Sequence, residues 1–473
     1  MINRTKIVCS IGPSSSSPQI IEKLVENGMG AARINFSHGT PDDHADIIRT
    51  LKSVRQKSGR PFAVIADTRG PEIRTGMTEN SLPVMLVEGA AVTVTTRDVP
   101  VSSATISVTY PQLPCVVSPG SNILLSNGQM SLKVDVVDGK DIRCTVLQGG
   151  VLTSRKSVNL PGTHTDLPTL SERDKIEIKR FFMDIEYIAA SFIRSAESVQ
   201  TVRDFLKSRG DRNIRLISKI ENFEGIENLD EIIAASDGIM VARGDLGVEL
   251  PLEDIPNLQK QIIRKCFGAG KPAIVATEML ESMIEKARPT RAEASDVANA
   301  VYDLASAVML SGETASGRHP VEATAIMARI IRKAESAMDF HSIFVNPSVP
   351  KNRDITDSIS HAAVRLSYDL DASALACLTE SGRTARMVSR WRPFTPILGL
   401  TPDVVTCNQM ALNWGVIPLI LPEEKNLEEL FFKAMLITRN KLSLKNDDVV
   451  IFTAGASLGK TGTTNLIKAE TVR

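Results

Sequence analysis

The chain has 473 residues, 42% hydrophobic and 23% charged, and its 55 Lys and Arg balance its 55 Asp and Glu. That length exceeds one ordinary hydrophobic core and predicts two or three domains, while a net charge of zero gives no electrostatic reason to expect nucleic acid or an anionic membrane as partner. Cys9, Cys115, Cys144, Cys266, Cys377 and Cys407 show no CxxC or Cys/His metal spacing, no apolar run reaches bilayer length, and the start lacks a signal-peptide core; together these predict reduced thiols in a cytoplasmic protein.

Strand-like runs at 6–11, 31–35 and 63–67 alternate with amphipathic helical patterns at about 17–27 and 42–57. The rhythm then breaks. From about 76 to 159 short alternating runs, such as 91–96, 104–110 and 132–137, are punctuated by Asn127-Gly128 and Asp138-Gly139 turns, which predicts an all-β insertion. After Pro168 apolar strand patterns return at 187–190, 215–219, 238–241, 273–277 and 307–310. Three strands before the insertion and five after make the eight of a closed (β/α)8 TIM barrel. An open doubly wound sheet is disfavoured, because no Gly-x-Gly-x-x-Gly fingerprint opens the first helix.

A helical stretch around 320–338 leads to a Pro-containing linker at 346–351. Beyond it, a helix with apolar positions Ile355, Ile359, Ala362, Leu366 and Leu370 precedes strands near 374–379, 396–400, 415–421 and 449–454, a second α/β unit. The expected domains are the barrel over 1–70 and 170–345, a β-barrel lid over 71–169 and a C-terminal α/β domain over 346–473.

Parallel strands of such a barrel deliver functional groups past their C-terminal ends. Those positions read Arg33, Asn35, Ser37 and His38, then Asp67 and Thr68, Ser191 and Phe192, Lys219 and Glu221, Arg243 and Asp245, Thr277 and Glu278, Ser311 and Glu313. A solvated rim would also be polar. The informative feature is the chemical balance: Glu221 and Asp245 are hard oxygen ligands for a divalent cation, Lys219 and Arg33 suit a phosphoryl group, and Gly244-Asp245 opens a helix whose amides suit a carboxylate.

The segments Arg33-Ile-Asn-Phe-Ser-His-Gly39, Asp67-Thr-Arg-Gly-Pro-Glu-Ile-Arg-Thr-Gly76, Val158-Asn-Leu-Pro-Gly162, Ile217-Ser-Lys-Ile-Glu-Asn222, Met240-Val-Ala-Arg-Gly-Asp-Leu-Gly-Val-Glu249, Ala276-Thr-Glu-Met-Leu-Glu-Ser-Met283 and Met309-Leu-Ser-Gly-Glu-Thr-Ala315 jointly resemble the pyruvate kinase family. The resemblance implies phosphoryl transfer from phosphoenolpyruvate to ADP, giving pyruvate and ATP in glycolysis. It implies Mg²⁺ or Mn²⁺ on Glu221 and Asp245, substrate contacts from Arg33, Lys219, Gly244, Asp245 and Thr277, and catalysis by Lys219, Arg33 and Thr277, the last with an ordered water near the carbon that is protonated. It also implies K⁺ held by Asn35, Ser37, Asp67 and the Thr68 carbonyl, the presence of Glu72 going with K⁺ dependence in that family, and nucleotide contacts from His38, Arg74 and Lys156. A homotetramer and a phosphorylated allosteric effector are implied as well. The loop Thr379, Ser381, Gly382, Arg383 and Thr384, ahead of a helix beginning near Ala385, would bind that effector, with 455–462 closing over it. The chain departs from the family pattern at Ser126-Asn127, Arg69, Ser157 and Glu278. A metal-dependent lyase or aldolase, which needs no nucleotide lid, and a metabolite-binding regulator are the competing readings.

Overall fold

The computed structural model describes residues 3–210, 212–346, 354–424, 426–456 and 464–473. Eight parallel strands close into a barrel: Lys6–Ser10, Met29–Asn35, Ala63–Asp67, Tyr187–Ala190, Arg215–Ile220, Gly238–Ala242, Ala273–Ala276 and Ala307–Leu310. Neighbours in the barrel are neighbours in sequence, and the ring closes where Lys6–Cys9 pair with Ala307–Leu310. The strands carry near-continuous apolar runs because both faces are buried. One face fills the barrel with Val8, Ile65, Ile217, Met240 and Ile274, and the other packs on the helices through residues such as Ile7, Val64, Ile188 and Leu216. The helices start where the sequence supplies caps: Thr40, Ser171 and Thr290 each form a reciprocal capping box with an acidic residue three positions on.

Between the third and fourth barrel strands the chain makes its β excursion around a separate core that includes Val94, Ile106, Leu125, Leu132 and Ile142. Seven strands form its main sheet, with Ile73–Arg74 and Thr105–Ser107 at the ends of the order. Those ends approach each other: Thr109 N donates to Arg74 O at 2.9 Å and Gly76 N to Ser107 O at 2.8 Å, so the sheet curls on itself. The excursion lies over the C-terminal mouth of the barrel, where Asn159 Nδ2 reaches Glu249 Oε1 at 3.2 Å and Thr165 N reaches Glu224 Oε1 at 3.1 Å. Arg194 pins the returning segment through the Leu167 carbonyl.

The C-terminal domain covers the opposite end, the floor. Lys6 Nζ donates to Val416 O at 2.7 Å, Tyr187 Oη to Gln409 O at 2.9 Å and Arg215 NH2 to Ser381 O at 2.5 Å. Its sheet runs in the order Val416–Ile420, Ile397–Thr401, Ala374–Leu378, Val449–Gly455, Thr464–Thr471. The first four are parallel; the last, absent from the expected set, pairs antiparallel along Val449–Gly455. Two hydrophobic clusters, one around Trp391 and Ile451 and one around Phe431 and Phe452, make three layers. The expected linker lies largely outside the described residues. Among the described residues no helix is long and apolar enough to cross a membrane.

Candidate active site

The fifth barrel strand, Arg215–Ile220, carries Lys219 at its mouth end and delivers Glu221 just beyond it. Lys219 Nζ lies 3.1 Å from Asp67 Oδ1, 2.8 Å from Glu221 Oε1 and 2.8 Å from Ser191 Oγ. Burial opposes its charge, but Asp67 and Glu221 outweigh burial and hold the ammonium above the ordinary lysine value. Asp67 itself is fully buried. Burial pushes its carboxyl up, yet Arg33 and then Lys219 overcome that and leave it below the usual range. Arg33, on the second strand two residues before Asn35, the register partner of Asp67, donates from Nε to Asp67 Oδ2 at 2.5 Å and from NH1 to Ser10 Oγ at 2.9 Å. Its NH2 has no protein partner among the described residues.

Glu221 is held on both oxygens, by Lys219 and by the Phe192 amide at 2.7 Å, and is nevertheless pushed up to about 7. Burial is the main cause, and the Asp245 carboxylate adds to it against Lys219. Asp245 sits in the first turn of the helix Arg243–Glu249 and makes no hydrogen bond or ion pair with the described residues. Two carboxylates crowding each other, one of them making no ion pair among the described residues, match the need of a divalent cation. Among the described residues no third His, Cys, Asp or Glu completes a cluster of ligands. The donor set therefore suits Mg²⁺ or Mn²⁺, which takes one or two carboxylates and fills the remaining positions with water and substrate oxygens.

Asp245 and Phe192 line a cavity of about 90 Å³ between mouth and β excursion, together with Asn222 and Glu249 from below and Glu72 and Asn159 from above. Lys219 and Glu221 stand behind this lining. A roomier cavity of about 600 Å³ flanks the returning segment around Leu167 and Arg194, away from Lys219.

Thr277 follows the seventh strand in left-handed backbone, with φ 67°, and so does Glu278, with φ 55°. Its hydroxyl accepts from Gly244 N at 2.8 Å and donates to Ala276 O at 2.6 Å. The expectation that Gly244 offers a free helix-end amide therefore changes: that amide is spent on Thr277. One lone pair of Oγ1 remains to orient a water, whereas the hydroxyl proton is already used.

The four residues expected around K⁺ come together at the ends of the second and third strands, since Asn35 pairs with Asp67 in register and Thr68 follows. Asn35 Oδ1 accepts from Ser37 N at 3.0 Å, and the Thr68 carbonyl accepts from Ser191 Oγ at 2.6 Å. A cation there would share oxygens already used by Arg33, Lys219 and Ser191. Glu72 lies between Arg69 (3.2 Å) and Arg74 (2.6 Å).

The nucleotide candidates fall into two groups. Arg74 lies on a strand of the β excursion paired with Ser157–Asn159, and Lys156 immediately precedes that partner strand, Thr75 N donating to Lys156 O at 2.8 Å, while His38 is exposed on the barrel and offers its carbonyl to His44. Asn127 N donates to Ser157 Oγ at 2.9 Å and Ser157 Oγ donates back to Asn127 Oδ1 at 2.5 Å, so the two departures in the excursion compensate each other locally.

In the C-terminal domain the helix after the Ser/Gly/Thr loop is Arg383–Arg390, starting two residues earlier than expected, with Gly382 at φ 74° as its N-cap. Thr379 and Ser381 thus precede the helix and Arg383 and Thr384 form its first turn. The Ser381 carbonyl is taken by Arg215, and Thr384 Oγ1 lies 2.6 Å from Thr464 Oγ1. Most of 455–462 lies outside the described residues.

Sequence reasoning assigned no role to Ser191 or to the Phe192 amide, which hydrogen-bond Lys219 and Glu221. Their position just past the fourth strand was the available signal. Two rim residues are structural: Arg243 pairs with Asp296 at 2.7 Å, and buried Glu313 accepts from Leu280 N at 3.0 Å and Ser311 N at 2.7 Å.

Comparison with known proteins accounts for nearly the whole chain. Residues 2–324 match the family description "Pyruvate kinase, barrel domain" and 357–469 match "Pyruvate kinase, alpha/beta domain". A pyruvate kinase of Geobacillus stearothermophilus is 43% identical over 475 residues, covering 100% of this chain and 81% of that protein. One from Clostridium acetobutylicum is 40% identical over 473 residues, covering 100% of both. The crystal structure of a pyruvate kinase from Cryptosporidium parvum superposes with a TM-score of 0.94 at 36% identity over 99% of this chain and 96% of that one. With barrel, excursion and C-terminal domain all matched, the chain belongs to the pyruvate kinase family of enzymes.

Proposed function

We propose that this enzyme transfers the phosphoryl group of phosphoenolpyruvate to ADP at the barrel mouth, with Mg²⁺ or Mn²⁺ held by Glu221 and Asp245. The observation that carries this reading is the Lys219 ammonium held between Asp67 and Glu221 beside the unpartnered Asp245 carboxylate. When bound, the divalent cation supplies Lewis-acid charge stabilisation to phosphoryl and enol oxygens. Lys219 and the spare NH2 of Arg33 place positive charge where the phosphoryl group carries its negative charge in flight. Ser191 and Asp67 fix the ammonium, so little reorganisation is needed. Thr277 orients a water near the carbon that is protonated; it does not itself deliver the proton, because its hydroxyl is engaged with Ala276. Arg74 and Lys156 bring cationic groups on the β excursion toward nucleotide phosphates, and His38 is the candidate contact on the barrel.

Asn35, Ser37, Asp67 and Thr68 provide the oxygen-rich corner for K⁺. The loop 379–384 is the proposed site of a phosphorylated effector, and the assembly is a homotetramer in the cytoplasm. A coupled assay reading lactate formed from phosphoenolpyruvate and ADP tests the reading. Mg²⁺-dependent turnover that falls in Na⁺ or Tris medium is expected. Absence of turnover with both substrates and Mg²⁺ would overturn the reaction, and full activity without K⁺ would overturn the monovalent site.

A further inference from the structure

The floor of the barrel, where the C-terminal domain docks, contains two side chains whose hydrogen-bonding capacity is unused. Arg386, in the helix Arg383–Arg390, makes no side-chain hydrogen bond or ion pair among the described residues, and its Nε is buried without a partner. Asn413, only 6% exposed, likewise has a side-chain amide with no hydrogen bond among the described residues. Both line the same two cavities, one of about 10 Å³ bordered by Tyr187, Arg215 and Asp237, the other of about 20 Å³ bordered by Lys271, Ser306 and Arg392. The smaller space is at the limit for one water-sized body and the larger holds one, so both exclude an organic carboxylate or a phosphate ester.

The charges around them do not balance. Asp237 is shared by Arg203 at 2.9 Å and Arg215 at 3.6 Å. Among the described residues Lys271 is bound only by the Ile233 and Ala234 carbonyls, at 2.6 and 2.7 Å. Arg203, Arg215, Lys271, Arg386 and Arg392 thus face one carboxylate, and a guanidinium cannot shed its proton to escape the conflict as easily as an amine can. Burial, followed by Arg215, lowers Arg386 to about 10, and burial lowers Lys271 to about 8, with Arg386 and Arg203 opposing the help from Asp237. A buried charge left without a counter-charge is strongly unfavourable.

We propose that a chloride-sized monovalent anion binds in this floor cavity, accepting hydrogen bonds from the Arg386 guanidinium and the Asn413 side-chain amide. The ion joins barrel to C-terminal domain directly behind Ser381 and Gly382, which border the smaller cavity. The site is independent of the phosphoryl-transfer reading, since none of its residues touches the mouth.

Crystals of the full chain grown in sodium bromide should show one anomalous peak within hydrogen-bonding distance of Arg386 and Asn413, and the peak should vanish in Arg386→Gln. In solution, melting of the wild type should rise saturably by on the order of 2 °C when chloride or bromide replaces gluconate at constant ionic strength, and the rise should be lost in Arg386→Gln. If that variant fails to fold, Asn413→Asp serves instead, because its carboxylate supplies the counter-charge and should abolish both the peak and the chloride effect. A cavity holding only water, a peak that survives Asn413→Asp, or a peak without saturable solution dependence, meaning binding at crystal concentration only, would each overturn the proposal.

Discussion

Away from the Arg386 cavity, the charged residues at the two ends of the barrel act to opposite effect. At the floor, Glu186 accepts from Arg55 NH1 at 3.0 Å, Asn408 Nδ2 at 3.1 Å and Val64 N at 2.8 Å, and Glu335 accepts from the amides of Arg4 and Thr5 at 3.1 and 2.6 Å. Those groups form closed sets within the protein: Glu186 ties Asn408 of the C-terminal domain to the barrel, and Glu335 holds the start of the chain against the helix Pro320–Ser336. At the mouth, Asp245 makes no hydrogen bond or ion pair and Arg33 NH2 has no partner among the described residues, and Glu221 is pushed upward despite its lysine. Charge that the fold leaves unanswered is charge available to a ligand, and the contrast separates functional from structural ionisable groups better than residue type does.

The largest expected effect separates the two ends by readout. Lys219→Met should lower kcat by about 100- to 1,000-fold with the far-UV circular dichroism of the wild type, because it removes the fixed positive charge from the mouth. A variant retaining wild-type turnover would remove Lys219 from the mechanism. Next in size, Asp245→Asn should raise the half-saturating Mg²⁺ concentration about tenfold or more; an unchanged metal titration of activity would place the divalent ion elsewhere.

At the floor the same kind of change should act on stability instead. Glu186→Ala leaves the Arg55 guanidinium without its carboxylate and should cost about 3–5 kcal/mol in urea unfolding, with kcat within about twofold of wild type. A kcat loss without destabilisation would break the comparison.

The smallest effect concerns Lys6, whose ammonium is lowered to about 8, chiefly by burial, with Glu335 opposing. Between that value and the ordinary lysine range the unfolded chain binds a proton that the folded chain does not, so stability rises with pH through this window. The wild type should gain on the order of 1–3 kcal/mol relative to Lys6→Met as pH increases from about 8 to 10.5. A gain in the opposite direction would mean that Lys6 is charged in the fold.

Most of the barrel was legible because its strands must be apolar on both faces and end abruptly in polar residues, as 215–221 and 238–245 do. The edge strand Thr464–Thr471 was not. Half solvated at the sheet margin, with Lys468 and Glu470 among its residues, it lacks the apolar run that marked its neighbours. The pairing of Lys219 with Glu221 could be anticipated from the motif, whereas Ser191 and the Phe192 amide could not, since a serine after a strand and a backbone N–H carry no periodic signal. Nor does sequence tell whether the Thr277 hydroxyl is free or satisfied at the strand end; the structure shows that Ala276 and Gly244 already engage it.

Mn²⁺ binding followed by electron paramagnetic resonance, in wild type and Glu221→Gln, tests the central claim most directly. One tightly bound ion per chain, lost or weakened at least tenfold in the variant, is the predicted result. Unchanged Mn²⁺ binding in Glu221→Gln would contradict it.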